Sequence, residues 1–272
     1  MPLKTNKYFL IIVAATLFLG SSFGTVLAQE TDTIIPIDKN PEKILRKIDI
    51  RKITSSGFNF WQDRFSGHWA GVDFGFNTFL NKDYSGYDSE FMNNDIFRSN
   101  STYVNLIQQS IGLQHNRNTI GLVTGLGMYF QSYRLDQNTT IELQANDVIV
   151  PKMLYFNDNQ KSKLSIVSLM VPLLAEFQIP IQRYENRLYI SGGLYLGYRL
   201  NSHTKIKYRT EQKEKLKVPG HFSLQDFKYG LMFRTGYRRI NIFATYEITP
   251  LFKENKGPEL TPFTFGFTLL QF

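Results

Sequence analysis

Four histidines and no cysteine limit the chemistry open to this chain. Without a thiol there are no disulfides, no thiolate metal sites and no acceptor for lipid attachment at a terminal cysteine. Two histidines, His203 and His221, flank a segment that also holds Ser202, Glu214 and Ser223. A base, a carboxylate and a hydroxyl are the parts of a nucleophilic site, provided that they come within hydrogen-bond reach of one another. Closeness in sequence does not supply that geometry, and such residues are common in loops. The expectation is no catalytic residue. His68 and His115 are expected to be solvated.

The mature chain carries no HExxH, EF-hand loop, P-loop or GxSxG pattern, so no metal and no cofactor is expected. The acidic stretch YSGYDSEFMNND (84–95) has oxygen ligands but lacks calcium-loop spacing, and reads as a polar loop. A third group is basic. Lys205, Lys207, Arg209, Lys213, Lys215 and Lys217 stand against Glu211 and Glu214. Lysine and arginine bind phosphate, so this segment is a candidate contact for anionic lipid. It has little aromatic interleaving and no groove motif, which argues against nucleic acid.

The elements that carry these residues are written in period two. In HWAGVDFGFNTFL (68–80), Ala70, Val72, Phe74, Phe76 and Leu80 share one parity, and Gly71, Asp73, Gly75 and Asn77 the other. Side chains alternate across a strand, so one face is apolar and the other polar or bare. The same spelling predicts strands over 119–133, 164–179, 188–201, 226–237, 240–251 and 260–272. The segment 101–114 is the irregular one. Ile107, Ile111 and Leu113 share parity but Val104 and Leu106 do not, and a β-bulge would reunite them. Without the bulge, Gln109 is expected to face lipid.

Eight such strands predict an all-β fold, an antiparallel up-and-down transmembrane β-barrel. About 11 residues at ~3.4 Å each, tilted ~45°, rise ~26 Å and match a lipid-facing band of ~25 Å. Connections alternate between short (116–118, 180–187, 238–239) and long (81–100, 136–163, 202–225), with 252–259 intermediate. Short periplasmic turns and longer outside loops are the pattern of an outer-membrane barrel. An even strand number leaves both termini in the periplasm.

The N-terminus agrees with that address. YFLIIVAATLFL (8–19) follows Lys4 and Lys7 and precedes Val26-Leu27-Ala28. This reads as a secretory signal peptide over residues 1–28, cleaved to start the mature chain at Gln29. No later run approaches the ~20 apolar residues of a membrane helix. Residues 29–66, rich in basic and isoleucine positions, read as a periplasmic N-terminal arm, and 67–272 as the barrel. The net charge of +8 falls to +6 once Lys4 and Lys7 leave. In a secreted chain that excess is expected to meet lipid phosphates rather than nucleic acid.

Asp73, Glu176 and Glu247 against Arg199, Lys228 and Arg234 all fall on the polar faces, inside the expected barrel. Three acids can neutralise three bases, and Lys228 lies nearly opposite Glu247 through the Arg238-Arg239 turn. Glu176 and Arg234 both lie towards the periplasmic end. The expected role is a neutral core network; the alternative is a switchable pair that gates a narrow path. Inward glycines, among them Gly121, Gly125, Gly197 and Gly230, leave room for Tyr129, Tyr133, Tyr189, Tyr195, Arg199 and Arg234 to cross the lumen. An eight-stranded barrel is just wide enough for side chains to fill it. A plugged interior is therefore expected, not a pore.

HWAGVDFGFNTFL (68–80), NTIGLVTGLGMYFQSYRL (118–135) and TPLFKENKGPE (249–259), with a last strand ending in phenylalanine, resemble the small outer-membrane β-barrels labelled PorT-like, over about residues 60–272. The final residue, Phe272, resembles the signal read by the outer-membrane assembly machinery, although it is out of phase with Phe263, Phe265, Phe267 and Leu269. The resemblance implies an integral outer-membrane barrel of Gram-negative type, and PorT itself is an accessory of the type IX secretion system. The expected function is a non-enzymatic structural or interaction protein of the outer membrane. Its expected partners are membrane lipid, lipopolysaccharide and the assembly machinery. Three alternatives follow: a secretion-system accessory that works with other secretion proteins, a lipid A-modifying enzyme built on His203 or His221, and a small porin-like channel.

Overall fold

Alternation of side chains becomes alternation of faces once strands close on themselves, and here they do. The computed structural model describes residues 65–114, 118–155, 161–181, 187–209 and 213–271, with the backbone alone at 209 and 213. The expected signal peptide, the arm up to residue 64, His115 and Phe272 lie outside the described residues. The strands are β1 (Gly71–Asp83), β2 (Asn100–Gly112), β3 (Ile120–Arg134), β4 (Thr139–Leu143), β5 (Ile149–Met153), β6 (Lys161–Pro180), β7 (Arg187–Arg209), β8 (Lys213–Pro219), β9 (Phe227–Tyr237), β10 (Ile240–Glu247) and β11 (Glu259–Gln271).

Eight of them form a closed antiparallel ring in the order β1, β2, β3, β6, β7, β9, β10, β11, with β11 pairing back to β1. Ring neighbours follow one another in the chain, so the topology is up-and-down. Closure leaves no edge in the ring, which a strand structure in lipid requires. The remaining three strands extend one end. β4 and β5 form a hairpin of their own, and β8 pairs only with the far part of β7.

The faces are inverted relative to a water-soluble sheet. Outside, Leu173 is 58% exposed, Leu194 52%, Phe227 64%, Ile242 52% and Leu269 55%. Inside, Asp73, Glu176, Lys228, Arg234 and Glu247 are buried. Water would penalise so much apolar surface at about 25 cal/mol per Å²; hydrocarbon does not. The outer face keeps aromatic pairs near one rim, with the Tyr198 and Phe227 rings 4.9 Å apart.

The irregular strand β2 contains the bulge. Its register with β3 shifts between Asn105 and Ile107, so Leu106 and Ile107 both face outwards and join Ile111 and Leu113. The same shift turns Gln108 inwards. Gln109 still sits on the outer face, opposite Thr124, because it shares parity with Ile107 and Ile111. A bulge reunites the apolar residues; it does not hide Gln109.

Two differences from the expected strand limits bear on the site; elsewhere β10 stops at Glu247 rather than 251, β6 starts at Lys161 rather than 164, and the connection 136–163 contains β4 and β5. The first strand starts at Gly71, not His68, because the backbone at Trp69 and Ala70 bonds to a side chain inside the barrel. Ala70 is therefore buried and does not belong to the lipid face. The second difference is the segment read as the third long loop. β7 continues through it to Arg209 and β8 returns beside it. TKIK and KLKV each alternate polar and apolar residues, and that is strand spelling.

Candidate functional site

The lumen is filled by two clusters. At mid-barrel, Tyr103 and Tyr129 stack with centroids 5.5 Å apart, Phe243 meets Tyr103 edge-on at 5.2 Å, and Tyr195, Met170 and Met232 complete the layer. Towards the long-loop end, Phe79 stacks on Tyr133 at 4.8 Å. Phe91, Met92, Ile141, Ile149, Phe222, Leu224, Leu251 and Phe252 fold in from the connections above them. The acidic stretch 84–95 is thus not merely a polar loop: Phe91 and Met92 are wholly buried. Among the described residues no group of three acids or histidines is placed to hold a metal ion.

Glycines make the room. A Cβ at Gly121 would stand 2.3 Å from the Phe65 ring, and at Gly125 2.7 Å from Trp69 Nε1. At Gly197 it would meet the Tyr129 hydroxyl at 2.6 Å, and at Gly230 the Tyr195 ring at 2.8 Å.

The end where β1 begins and β11 finishes is closed by the chain itself. Residues 65–70 run into the lumen before β1 begins, and inward polar side chains hold their backbone. Gln108 Oε1 accepts from the Trp69 and Ala70 N–H groups at 2.6 and 2.9 Å, and Gln108 Nε2 donates to the Gly67 carbonyl at 2.9 Å. Ser110 Oγ accepts from Gly67 N, Gln178 Nε2 donates to the Ser66 carbonyl, and Asn105 Nδ2 donates to the Trp69 carbonyl. Backbone groups without a strand partner need such replacements when buried. Phe65 and Trp69, 2% and 0% exposed, fill the space between these bonds. Sequence reading missed this segment. The available signal was the run of inward amides and hydroxyls at Asn105, Gln108, Ser110 and Gln178, more hydrogen-bonding capacity than a ring of strands needs.

The six inward charges do not form one network. Arg234 is forked onto Asp73, with Nη1–Oδ2 2.7 Å and Nη2–Oδ1 3.1 Å, and lies over the Trp69 ring at 5.5 Å. Arg234 does not pair with Glu176. Lys228 Nζ lies 3.1 Å from Glu247 Oε2, and Gln131 bridges them, donating to Glu247 Oε1 at 2.8 Å. Glu176 takes His68 Nδ1 at 2.7 Å and the His68 N–H, while His68 stacks on Tyr189 with centroids 4.2 Å apart. His68 is therefore tied to lumenal side chains while remaining 28% exposed, rather than freely solvated. Arg199 lies at the rim end of the interior, where it pairs with Asp226 and donates to Ser202 Oγ at 3.1 Å. Asp226 also holds Lys253 Nζ at 2.9 Å. Burial tends to raise the Asp226 pKa, but Lys253 and Arg199 outweigh it and hold the carboxyl below its usual range.

The remaining candidates lie beyond the long-loop end of the apolar band. Ser202 Oγ donates to the Gly220 carbonyl at 2.5 Å and Ser223 Oγ to the Asp147 carbonyl at 2.6 Å. His221 Nδ1 accepts the Ser223 N–H at 3.3 Å. Each hydroxyl is thus committed to a backbone carbonyl rather than to an imidazole. The basic residues sit on strands, not on a loop: Lys205 pairs with Lys217 and Lys207 with Lys215 across β7 and β8, with Arg209 opposite Lys213 in the backbone register. The opposite face of the same strands, with Ile206, Leu216 and Val218, lines an apolar cavity of about 480 Å³ beneath the β4–β5 hairpin.

These features converge on a closed ring of eight strands, greasy outside and packed inside. Neither the curated proteins nor the solved structures compared with this chain give a match. A family model for the outer membrane protein beta-barrel domain matches residues 60–254, from the lumenal segment through to the connection before β11. The match is to the domain family as a whole. With its ring of strands and that match, the chain belongs to the outer membrane protein beta-barrel domain family.

Proposed function

We propose that this outer-membrane barrel is a sealed, non-enzymatic anchor. In this reading both termini face the periplasm, the preceding arm reaches into that compartment, and the long connections with β4, β5 and β8 meet the cell surface. The observation that carries it is the lumenal seat of residues 65–70, bound by Gln108, Ser110, Glu176 and Gln178. A barrel built for diffusion leaves its lumen open, whereas one built to hold a shape fills it. The commitment of the Ser202 and Ser223 hydroxyls to carbonyls supports a role without catalysis.

Two measurements test the reading. In planar bilayers the purified barrel should give no steady conductance, and a steady open level would overturn the seal. Because the chain has no cysteine, Ser85→Cys and Arg239→Cys can be labelled cleanly. A membrane-impermeant maleimide should reach the first in intact cells and the second only after permeabilisation. The reverse pattern would overturn the orientation. Lipid A composition should be the same with and without the protein.

A further inference from the structure

The basic strands carry more than the six residues the sequence singles out. On the far side of β7, Lys163 of β6 pairs with Lys205, and Lys161 with Lys207. Directly opposed residues on antiparallel strands project to the same face. Lys163, Lys205 and Lys217 thus form one row across three strands, and Lys161, Lys207 and Lys215 a second. Like charges directly opposite each other destabilise a sheet, and here two rows of three are stacked. None of the six has a carboxylate within ion-pair distance among the described residues.

The height and face of the rows identify what balances them. Lys163 is on the same face of β6 as Val167, Leu169, Val171 and Leu173, which belong to the lipid-facing band. Lys163 stands four positions before Val167, roughly 13 Å along the strand. The ammonium groups therefore stand where hydrocarbon gives way to headgroups, and they face the lipid rather than the lumen. Ile206, Leu216 and Val218 on the other face of β7 and β8 line a cavity shared with the β4–β5 hairpin.

We propose that the face formed by Lys161, Lys163, Lys205, Lys207, Lys215 and Lys217 binds phosphate groups of anionic lipid in the leaflet at the long-loop end, a phosphorylated glycolipid where that leaflet is the outer one. Lysine serves as a point-charge phosphate binder, and six on one rigid face match a headgroup carrying more than one phosphate. The identity of the leaflet rests on the orientation proposed above; the basic face itself does not.

The test uses the full mature chain in neutral detergent, loaded with bisphosphorylated lipid A and read by native mass spectrometry. Lys163→Gln/Lys205→Gln/Lys217→Gln should lower the lipid-bound fraction at least tenfold. Lys82→Gln/Lys152→Gln/Lys256→Gln, which removes the same charge elsewhere at that end, should leave it unchanged. The arginine triple at 163, 205 and 217 should retain binding. Heat-modifiable migration on gels checks that every variant is folded. Equal loss in both glutamine triples, or none in either, overturns the proposal. Competition by millimolar inorganic phosphate as effective as by lipid A also overturns it, since the ligand would then be a free anion. Micelles have no sidedness, so this result stands apart from the maleimide labelling that tests orientation.

Discussion

Arg234 and Asp73, 161 residues apart, meet inside the barrel as a two-pronged ion pair with both side chains almost wholly buried. Asp73 Oδ1 also accepts from the Thr268 hydroxyl at 2.6 Å and Oδ2 from Asn105 Nδ2 at 2.9 Å. The carboxylate thus ties β1, β2, β9 and β11 together. Removing one partner of such a pair strands a buried charge, at about 3–5 kcal/mol. Asp73→Asn should lower the unfolding midpoint in urea, read by heat-modifiable mobility. Asp73→Asn with Arg234→Met should recover much of the loss.

Lys228 and Glu247 give an independent version of that experiment at the other level of the lumen. Glu247→Gln keeps the hydrogen bond from Gln131 but leaves the ammonium without its counter-charge. The expected loss is again ~3–5 kcal/mol. The Lys228→Met/Glu247→Leu pair, which removes both charges, is expected near wild type. If Glu247→Gln unfolds at the wild-type midpoint, the pair contributes nothing to the barrel.

The lumenal segment should respond to Gln108. Its carbonyl oxygen serves two backbone donors, Trp69 N–H and Ala70 N–H. Each buried donor left unmatched costs about 1–3 kcal/mol. Gln108→Leu should therefore speed hydrogen exchange at Trp69 and Ala70 by tenfold or more, while amides at mid-strand in β6 and β7 keep their protection. Uniform acceleration across the barrel would mean that the segment is not a separate closure.

Acid should weaken the rim. The Asp226 carboxyl titrates below its ordinary value: burial opposes the shift, and Lys253 and Arg199 overcome it. A depressed folded pKa contributes stability above the unfolded value of about 3.9, and that stability is lost as pH falls through the folded one. Asp226 is 43% exposed, so solvent screening keeps the contribution under about 1 kcal/mol. The stability difference between wild type and Asp226→Asn should be present at pH 7 and vanish in strong acid. A difference that persists there would assign the effect to something other than ionisation.

Local spelling determined much of this molecule. Ring strands, inward glycines and the bulge at Leu106 were legible because period two ties each residue's face to its parity, and a single extra residue flips that parity. The alternation in TKIK and KLKV is equally legible, although it lies in the segment 202–225 that reads as a long connection. Only the tertiary structure decided who meets whom across the lumen. Arg234 chose Asp73 over Glu176, Arg199 met Asp226 at the rim, and residues 65–70 entered the barrel. Those choices depend on strand stagger and ring closure, which bring together residues from opposite walls. Parity says that a side chain points inwards; it carries no information on the height at which it arrives.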